Sequence, residues 1–230
     1  MTETAGNVSR IRRREAPDAS LSELPGELHP VLRRVYAARH VSAGQLQPSL
    51  SELIPVGRLA GAAPAAQRLI DARERGERVL ILGDFDADGA TATALCVSCL
   101  RALGFSDVVY VVPNRIEFGY GLSPAIADHA AALKPDLIVT VDNGVSSIDG
   151  VRRARELGID VVVTDHHLPG AELPDAVCIV NPNLADEPFP SKCLAGVGVA
   201  FYLMASVSRM LAERGEVDAN AGRAAVADAL

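Results

Sequence analysis

No tryptophan occurs in this chain of 230 residues, and aromatic residues make up only 4% of it. A core built on ring packing is excluded. Val, Leu, Ile and Ala must fill it, and the hydrophobic content of 49% is enough for that. Long apolar runs are missing as well. None approaches the roughly 20 residues that a membrane-spanning helix needs. The amino-terminal stretch is polar and carries Arg10, Arg12, Arg13 and Arg14 with no hydrophobic segment behind them, so no secretory signal is expected. Cysteine is scarce. Cys96, Cys99, Cys178 and Cys193 are too few and too scattered for a disulfide framework. Cys96 and Cys99 have C-x-x-C spacing, but they fall inside an apolar helical pattern and not at a helix start, where a thiolate would be stabilised. Buried, reduced thiols and a cytoplasmic protein are the expectation. Positive charge is also in deficit: 22 Lys and Arg against 29 Asp and Glu leave a net charge of −7.

What is present is a regular alternation. Short runs rich in Val and Ile alternate with helical patterns, which argues an α/β fold with a parallel sheet flanked by helices on both faces. Strands are expected at 79–82, 108–112, 137–141 and 161–164, with a shorter one near 177–180. Helices are expected near 64–75, 90–103, 124–133, 148–157 and 197–211. Residues 1–61 have scattered Pro and Gly and a short helical pattern around 30–40. They read as an amino-terminal extension packed on a main domain of residues 62–230. Pro182, Pro188 and Pro190 mark a loop.

Three of these strands run into acids. The first is followed by Asp84-Phe85-Asp86-Ala87-Asp88-Gly89, the third by Asp142-Asn143-Gly144 and the fourth by Asp165-His166-His167. In open α/β sheets, ligands bind beyond the carboxyl ends of the strands. Five carboxylates and two imidazoles therefore converge on one edge. In extended chain, Asp84, Asp86 and Asp88 share a face, and the small Ala87 and Gly89 leave room for an ion. Two carboxylates about 4 Å apart repel by roughly 4 kcal/mol at an effective dielectric of 20. Such a cluster raises pKa values or binds cations. Oxygen ligands favour Mg²⁺ or Mn²⁺, and an imidazole moves the preference toward Mn²⁺. Paired ions about 3.5–4 Å apart share a carboxylate, a place that Asp142 on the neighbouring strand suits. Adjacent residues of an extended chain point to opposite faces. One of His166 and His167 is thus expected as a ligand and the other as a substrate contact, with Asp165 placed to orient an imidazole. The competing readings are solvated loop acids, a capping aspartate and surface histidines. The helix after the first cluster would present its amino-terminal amides to an anion such as phosphate. Metals beside such a helix start point to phosphoester hydrolysis.

Gly83-Asp84-Phe85-Asp86-Ala87-Asp88-Gly89, Val141-Asp142-Asn143-Gly144 and Asp165-His166-His167, in this order, resemble the DHH phosphoesterase superfamily. Val112-Pro113-Asn114-Arg115, Gly119-Tyr120-Gly121-Leu122 and the stretch from Leu194 to Ala200 are similar to its branch of single-strand-specific 5′→3′ DNA exonucleases. The resemblance runs from about Val79 to Met210. It implies two divalent ions, Mn²⁺ or Mg²⁺, held by Asp86, Asp88, Asp142 and His166 with Asp84 beside them. It implies that His167 contacts the scissile phosphate and that Arg115 anchors the 5′-terminal phosphate, for which Arg is suited by its bidentate geometry. Tyr120 would stack on a base, and Gly196 would let backbone approach the nucleic acid. The implied substrate is single-stranded DNA with a 5′ end, in DNA repair and recombination, for a monomer with a single-strand-binding protein among its partners. Two divalent ions would offset part of the negative charge. The alternatives are a DHH phosphoesterase of small nucleotides or oligonucleotides, and an inactive metal-binding fragment. The family carries a fourth metal-binding aspartate after a further helix, and a second domain that grips DNA. This chain stops at Leu230 in an Ala-rich stretch without a closing cap, so it is expected to be the amino-terminal part of a longer protein and nearly inactive alone. Asp218 and Asp228 lack the matching context and receive no role.

Overall fold

The computed structural model describes residue 15 and residues 17–46, 53–114 and 119–229. These fall into two units, 1–54 and 55–230. The first holds helices α1 (Asp18–Ser22) and α2 (Pro30–Ala37). The second holds five strands, β1 (Val79–Leu82), β2 (Val108–Val111), β3 (Leu137–Val141), β4 (Asp160–Thr164) and β5 (Cys178–Val180). Its helices are α3 (Ala62–Arg75), α4 (Ala87–Ala102), α5 (Pro124–Ala131), α6 (Ile148–Glu156), α7 (Gly196–Glu213) and α8 (Ala219–Ala227). All strand pairs are parallel, in the order β2-β1-β3-β4-β5. Every residue of β1 and β3 is buried, as continuous apolar strands require when both faces of a sheet are covered. On one face α5 and α6 pack over Leu80, Leu82, Ile138, Val161 and Val163. On the other, α3, α4, α7 and α8 pack on one another and on the sheet.

This topology fixes where a site can form. The chain leaves β1 through α4 toward β2 at the edge, then returns through α5 on the opposite face to β3. The direction of winding reverses between β1 and β3, and ligand sites of open α/β sheets lie at such a switch point. The register then aligns the polar residues that follow the strands. Leu82 pairs with Thr140, Val141 with Thr164, and Thr164 with Val180. Carried one or two residues further, this register sets Asp84, Asp142, Asp165 and Asn181 in one row across four strands. They are 8%, 2%, 1% and 0% exposed.

The main domain departs from the sequence expectation chiefly at α4 and in the tail. Helix α4 begins at Ala87, not Ala90, because Asp86 is its N-cap and accepts from Gly89 N at 3.0 Å. The first cluster is therefore not an extended strip: Asp84 follows the strand, Asp86 caps the helix and Asp88 lies in its first turn. The Ala-rich tail contains α8, which the expectation omitted. Asp218 caps it, accepting from Asn220 N at 2.9 Å and Ala221 N at 3.0 Å. Cys96 and Cys99 are buried free thiols inside α4. Burial pushes the Cys99 thiol up to about 11 and raises that of Cys96 as well, so neither is a reactive thiolate. Among the described residues no helix is long and apolar enough to cross a membrane.

Candidate metal centre

Asp142 stands at the middle of the row. It leaves β3 with a left-handed backbone, φ 62°, a conformation that Asp and Asn tolerate better than other side-chain-bearing residues. Its Oδ1 is buried and accepts no hydrogen bond, while His166 Nε2 lies 3.1 Å away. A buried carboxylate oxygen left like this calls for a cation or a proton. Burial, and then repulsion from Asp88 and Asp86, pushes the Asp142 carboxyl up to about 7. The next residue holds the two strands of the switch point together. Asn143 Nδ2 donates to Leu82 O at 3.2 Å and to Val141 O at 2.9 Å.

Two groups of ligand atoms meet at Asp142. Oxygens of Asp84, Asp86 and Asp142 lie within 4.8 Å of one another, and so do ligand atoms of Asp142, His166 and His167. Membership of both groups is what a bridging carboxylate needs. The donors are oxygen and imidazole nitrogen, which fits Mn²⁺ or Mg²⁺. Asp84 Oδ1 also accepts from Phe85 N at 2.7 Å, which fixes the turn out of β1. Asp88 is anchored differently. Its two oxygens accept from Gly196 N at 2.8 Å and Val197 N at 2.7 Å, the first amides of α7. Each oxygen keeps a second lone pair, and Asp88 Oδ2 lies 3.8 Å from His166 Nε2.

The histidine pair is not extended. Asp165 Oδ1 accepts from both His166 N at 2.7 Å and His167 N at 3.1 Å, so the chain turns tightly around that carboxylate. As a result the two rings do not face opposite ways; their centroids are 4.6 Å apart. The same Oδ1 accepts from His167 Nδ1 at 2.7 Å, and Asp165 Oδ2 accepts from Val145 N at 2.8 Å. Asp165 therefore ties the loop after β3 to the histidines after β4. Burial lowers the His167 pKa, but the hydrogen bond to Asp165 and the charges of Asp165, Asp142 and Asp84 outweigh it, and the net shift is upward.

Tyr120 lies at this site. Its hydroxyl donates to Asp142 O at 3.2 Å and sits 3.3 Å from His167 Nδ1, and its ring meets that of His167 edge-on. Gly196 is explained by close approach: a Cβ there would stand 2.3 Å from Asp142 Oδ1. Arg115 and the arginines at 10 and 12–14 lie outside the described residues. Three polar residues behind the site, Asn143, Asn181 and Asn183, were not selected from the sequence. An Asn-Pro-Asn run just after a strand signals a turn, but nothing local shows that it faces the histidines.

The comparisons with known proteins agree on one family. Residues 78–229 match the DHH family, N-terminal domain. The chain is 54% identical over 210 residues to the single-stranded-DNA-specific exonuclease RecJ of Salmonella typhimurium; the match takes in 91% of this chain and 36% of that protein. The structure of exonuclease RecJ bound to manganese superposes with a TM-score of 0.63 at 37% identity, covering 69% of this chain and 40% of the other. RecJ from Thermus thermophilus in complex with Mn²⁺ superposes with a TM-score of 0.65 at 33% identity, covering 86% of this chain and 28% of the other. The chain thus spans about a third of the length of the curated relative it matches.

Proposed function

The chain belongs to the DHH family, and from that membership we propose that it supplies the metal centre of an enzyme that hydrolyses phosphodiester bonds at the 5′ end of single-stranded DNA. The observation that carries the reading is Asp142, a residue of both groups of ligand atoms whose Oδ1 is buried and accepts no hydrogen bond. The relatives named for single-stranded DNA support the substrate, and those bound to Mn²⁺ support the cofactor. Asp86, Asp88, Asp142 and His166 would hold two divalent ions, Mn²⁺ or Mg²⁺, with Asp84 beside them. When bound, the ions supply an activated water and offset charge at the phosphorus centre. The chain's own residues do the rest. Asp165 Oδ1 accepts the Nδ1–H of His167, so that Nε2 is offered to the substrate. The upward shift of that imidazole favours its charged form, which donates to a phosphate oxygen. Tyr120, half exposed, presents its ring to a base. Arg115 anchors the 5′-terminal phosphate. The proposal extends to a monomer that acts in DNA repair and recombination in the cytoplasm with a single-strand-binding protein. The relatives' name supports the single-stranded DNA in that setting, and the free thiols fit a reducing compartment.

The test uses the full-length protein with Mn²⁺ on 5′-phosphorylated single strands, duplexes and dinucleotides. Preferential hydrolysis of the single strands is expected. Faster turnover of dinucleotides would assign the centre to small nucleotides. Within the same assay, Arg115→Ala is expected to raise KM about tenfold or more for 5′-phosphorylated strands, the loss of one charge-assisted phosphate contact. Strands with a 5′-hydroxyl should be affected much less. Equal loss on both would mean that Arg115 does not read the terminal phosphate.

The histidines are expected to divide the work. His166→Ala should weaken Mn²⁺ binding by at least about tenfold, since its Nε2 faces Asp142 and Asp88. His167→Ala should leave Mn²⁺ affinity nearly intact and lower kcat by about 10²–10⁴-fold, the range for loss of a proton-transferring or phosphate-contacting group. Calorimetry with each variant checks the first effect and single-turnover kinetics the second. Equal loss of metal in both variants would refute the division, and the 4.6 Å spacing of the rings makes that a real contest.

A further inference from the structure

We propose that Asn181 and Asn183 are positioning residues that aim the two histidines of the metal centre from behind. The inference rests on the metal-dependent reading above and extends it to residues outside the ligand set. Main-chain pairing between β4 and β5 ends where Asp165 N donates to Val180 O at 3.0 Å. Beyond that point the carbonyls of His166 and His167 have left the ladder. Each is met by a side-chain amide instead. Asn183 Nδ2 donates to His166 O at 2.6 Å, and Asn181 Nδ2 donates to His167 O at 2.9 Å.

The turn that presents both amides is set by the local sequence. Asn181 Oδ1 accepts from Asn183 N at 2.8 Å, an Asx turn with Pro182 at its centre. The proline ring fixes φ and stiffens the turn. Lys192 Nζ closes the loop from outside, donating to Pro182 O at 2.6 Å and Glu187 O at 2.8 Å. Asn181 is fully buried and Asn183 half-buried.

Together with Asp165, the asparagines occupy all four backbone polar groups of the histidine pair. Asp165 Oδ1 takes both N–H groups, and the asparagines take both carbonyls. Only the side-chain torsions of the two histidines stay free, and Asp165 restrains that of His167 through Nδ1. A carbonyl at the end of a strand is ordinarily satisfied by water at little cost. Two buried or half-buried amides devoted to adjacent carbonyls are more than such an end requires. They are what a pair of imidazoles needs if it must be aimed, because outer partners of metal ligands act by fixing orientation.

The test is made in the full-length protein with Asn181→Asp and Asn183→Asp. Both keep the side-chain shape and the Oδ1 acceptor, but turn the donor into an oxygen facing a carbonyl. Melting temperature, Mn²⁺ dissociation constant, kcat and KM on a 5′-phosphorylated single strand are measured per folded molecule. Asn183→Asp is expected to weaken Mn²⁺ about ten- to hundredfold through His166. Asn181→Asp is expected to lower kcat about ten- to hundredfold through His167, with KM unchanged and Mn²⁺ affinity nearly intact. A loss of melting temperature alone, with wild-type Mn²⁺ affinity and kcat per folded molecule in both variants, would overturn the proposal and leave the asparagines as scaffold. If Asn181→Asp does not fold, Asn183→Ala carries the test, and wild-type Mn²⁺ affinity in it would be the overturning result. The metal measurement stands apart from the functional proposal. Loss of Mn²⁺ affinity in Asn183→Asp, together with a wild-type protein that cuts no single strand, would support the positioning role and sink the exonuclease.

Discussion

Asp142→Asn is expected to make the metal-free protein more stable and the enzyme inert. Folded Asp142 titrates near 7, because burial and the charges of Asp88 and Asp86 disfavour its ionised form. An unfolded aspartate titrates near 3.9. Between about pH 4 and pH 7 the folded chain therefore holds a proton that the unfolded chain has released. Stability of the metal-free protein falls as pH rises through that window, and the whole loss is present above it. Asparagine has the same shape, tolerates the left-handed backbone and cannot ionise. At pH 8 the variant should melt higher than wild type by on the order of 5 °C, and the gap should narrow toward pH 5. With Mn²⁺ the gap narrows. Wild type gains about 2.7 kcal/mol at a free-ion excess of 100 over Kd. The variant should gain almost nothing, and hydrolysis should fall by roughly a thousandfold or more. Calorimetric melting at two pH values, with and without Mn²⁺, reads all of this. A variant less stable than wild type at pH 8 without metal would mean that the Asp142 charge is not the strained group.

A single methyl at Gly196 is expected to do comparable damage from the other side. A Cβ there would lie 2.3 Å from Asp142 Oδ1 and 2.6 Å from its Cγ. The backbone at Gly196 is ordinary helix, so Ala suits the local conformation and the whole effect is steric. Either Asp142 moves or the start of α7 moves. If α7 moves, Asp88 loses the amides of Gly196 and Val197. Gly196→Ala should cost about 1–3 kcal/mol of stability, the range for overpacking. It should also lower hydrolysis by about a hundredfold or more, since a misplacement of about 1 Å at a catalytic centre has that consequence. The control is Gly170→Ala, whose Cβ would meet only Glu172 O at 3.8 Å. It should behave as wild type in melting and Mn²⁺ binding. Wild-type Mn²⁺ affinity in Gly196→Ala would show that the carboxylate has room to spare.

The strands were legible because buried parallel strands leave nothing but apolar residues. Val79–Leu82 and Leu137–Val141 match the expected runs residue for residue. The acids were legible because they follow those runs directly. What could not be read is how a tight turn redirects a side chain. The spacing of Asp84, Asp86 and Asp88 suggested an extended strip, yet an oxygen of Asp86 accepts from Gly89 N and starts the helix three residues early. His166 and His167 looked like opposite faces of a strand, yet one oxygen of Asp165 gathers both amides and brings the rings to one side. Helix α8 was signalled by Asp218 before an Ala-rich run. The run has no closing signal at its carboxyl end, and only its N-cap marks it as a helix. The contacts of Asp88 with α7 and of Asn181 and Asn183 with the histidines are long-range pairings, and a local pattern carries no trace of them.

The anchoring of Asp88 also sets a schedule for how the protein is made. The two amides that hold it come from residues 108 and 109 positions further along the chain. At a synthesis rate of about 5–20 residues per second, roughly 5–20 s separate the emergence of the acid from that of its partners. Through that interval α4 can form, but its first-turn acid lacks the amides of α7. Docking of α7 completes the anchoring of Asp88, so ion capture that uses this acid is expected late in folding. An ion bound there would tie the turn after β1, through Asp88, to the start of α7 across 108 positions of chain.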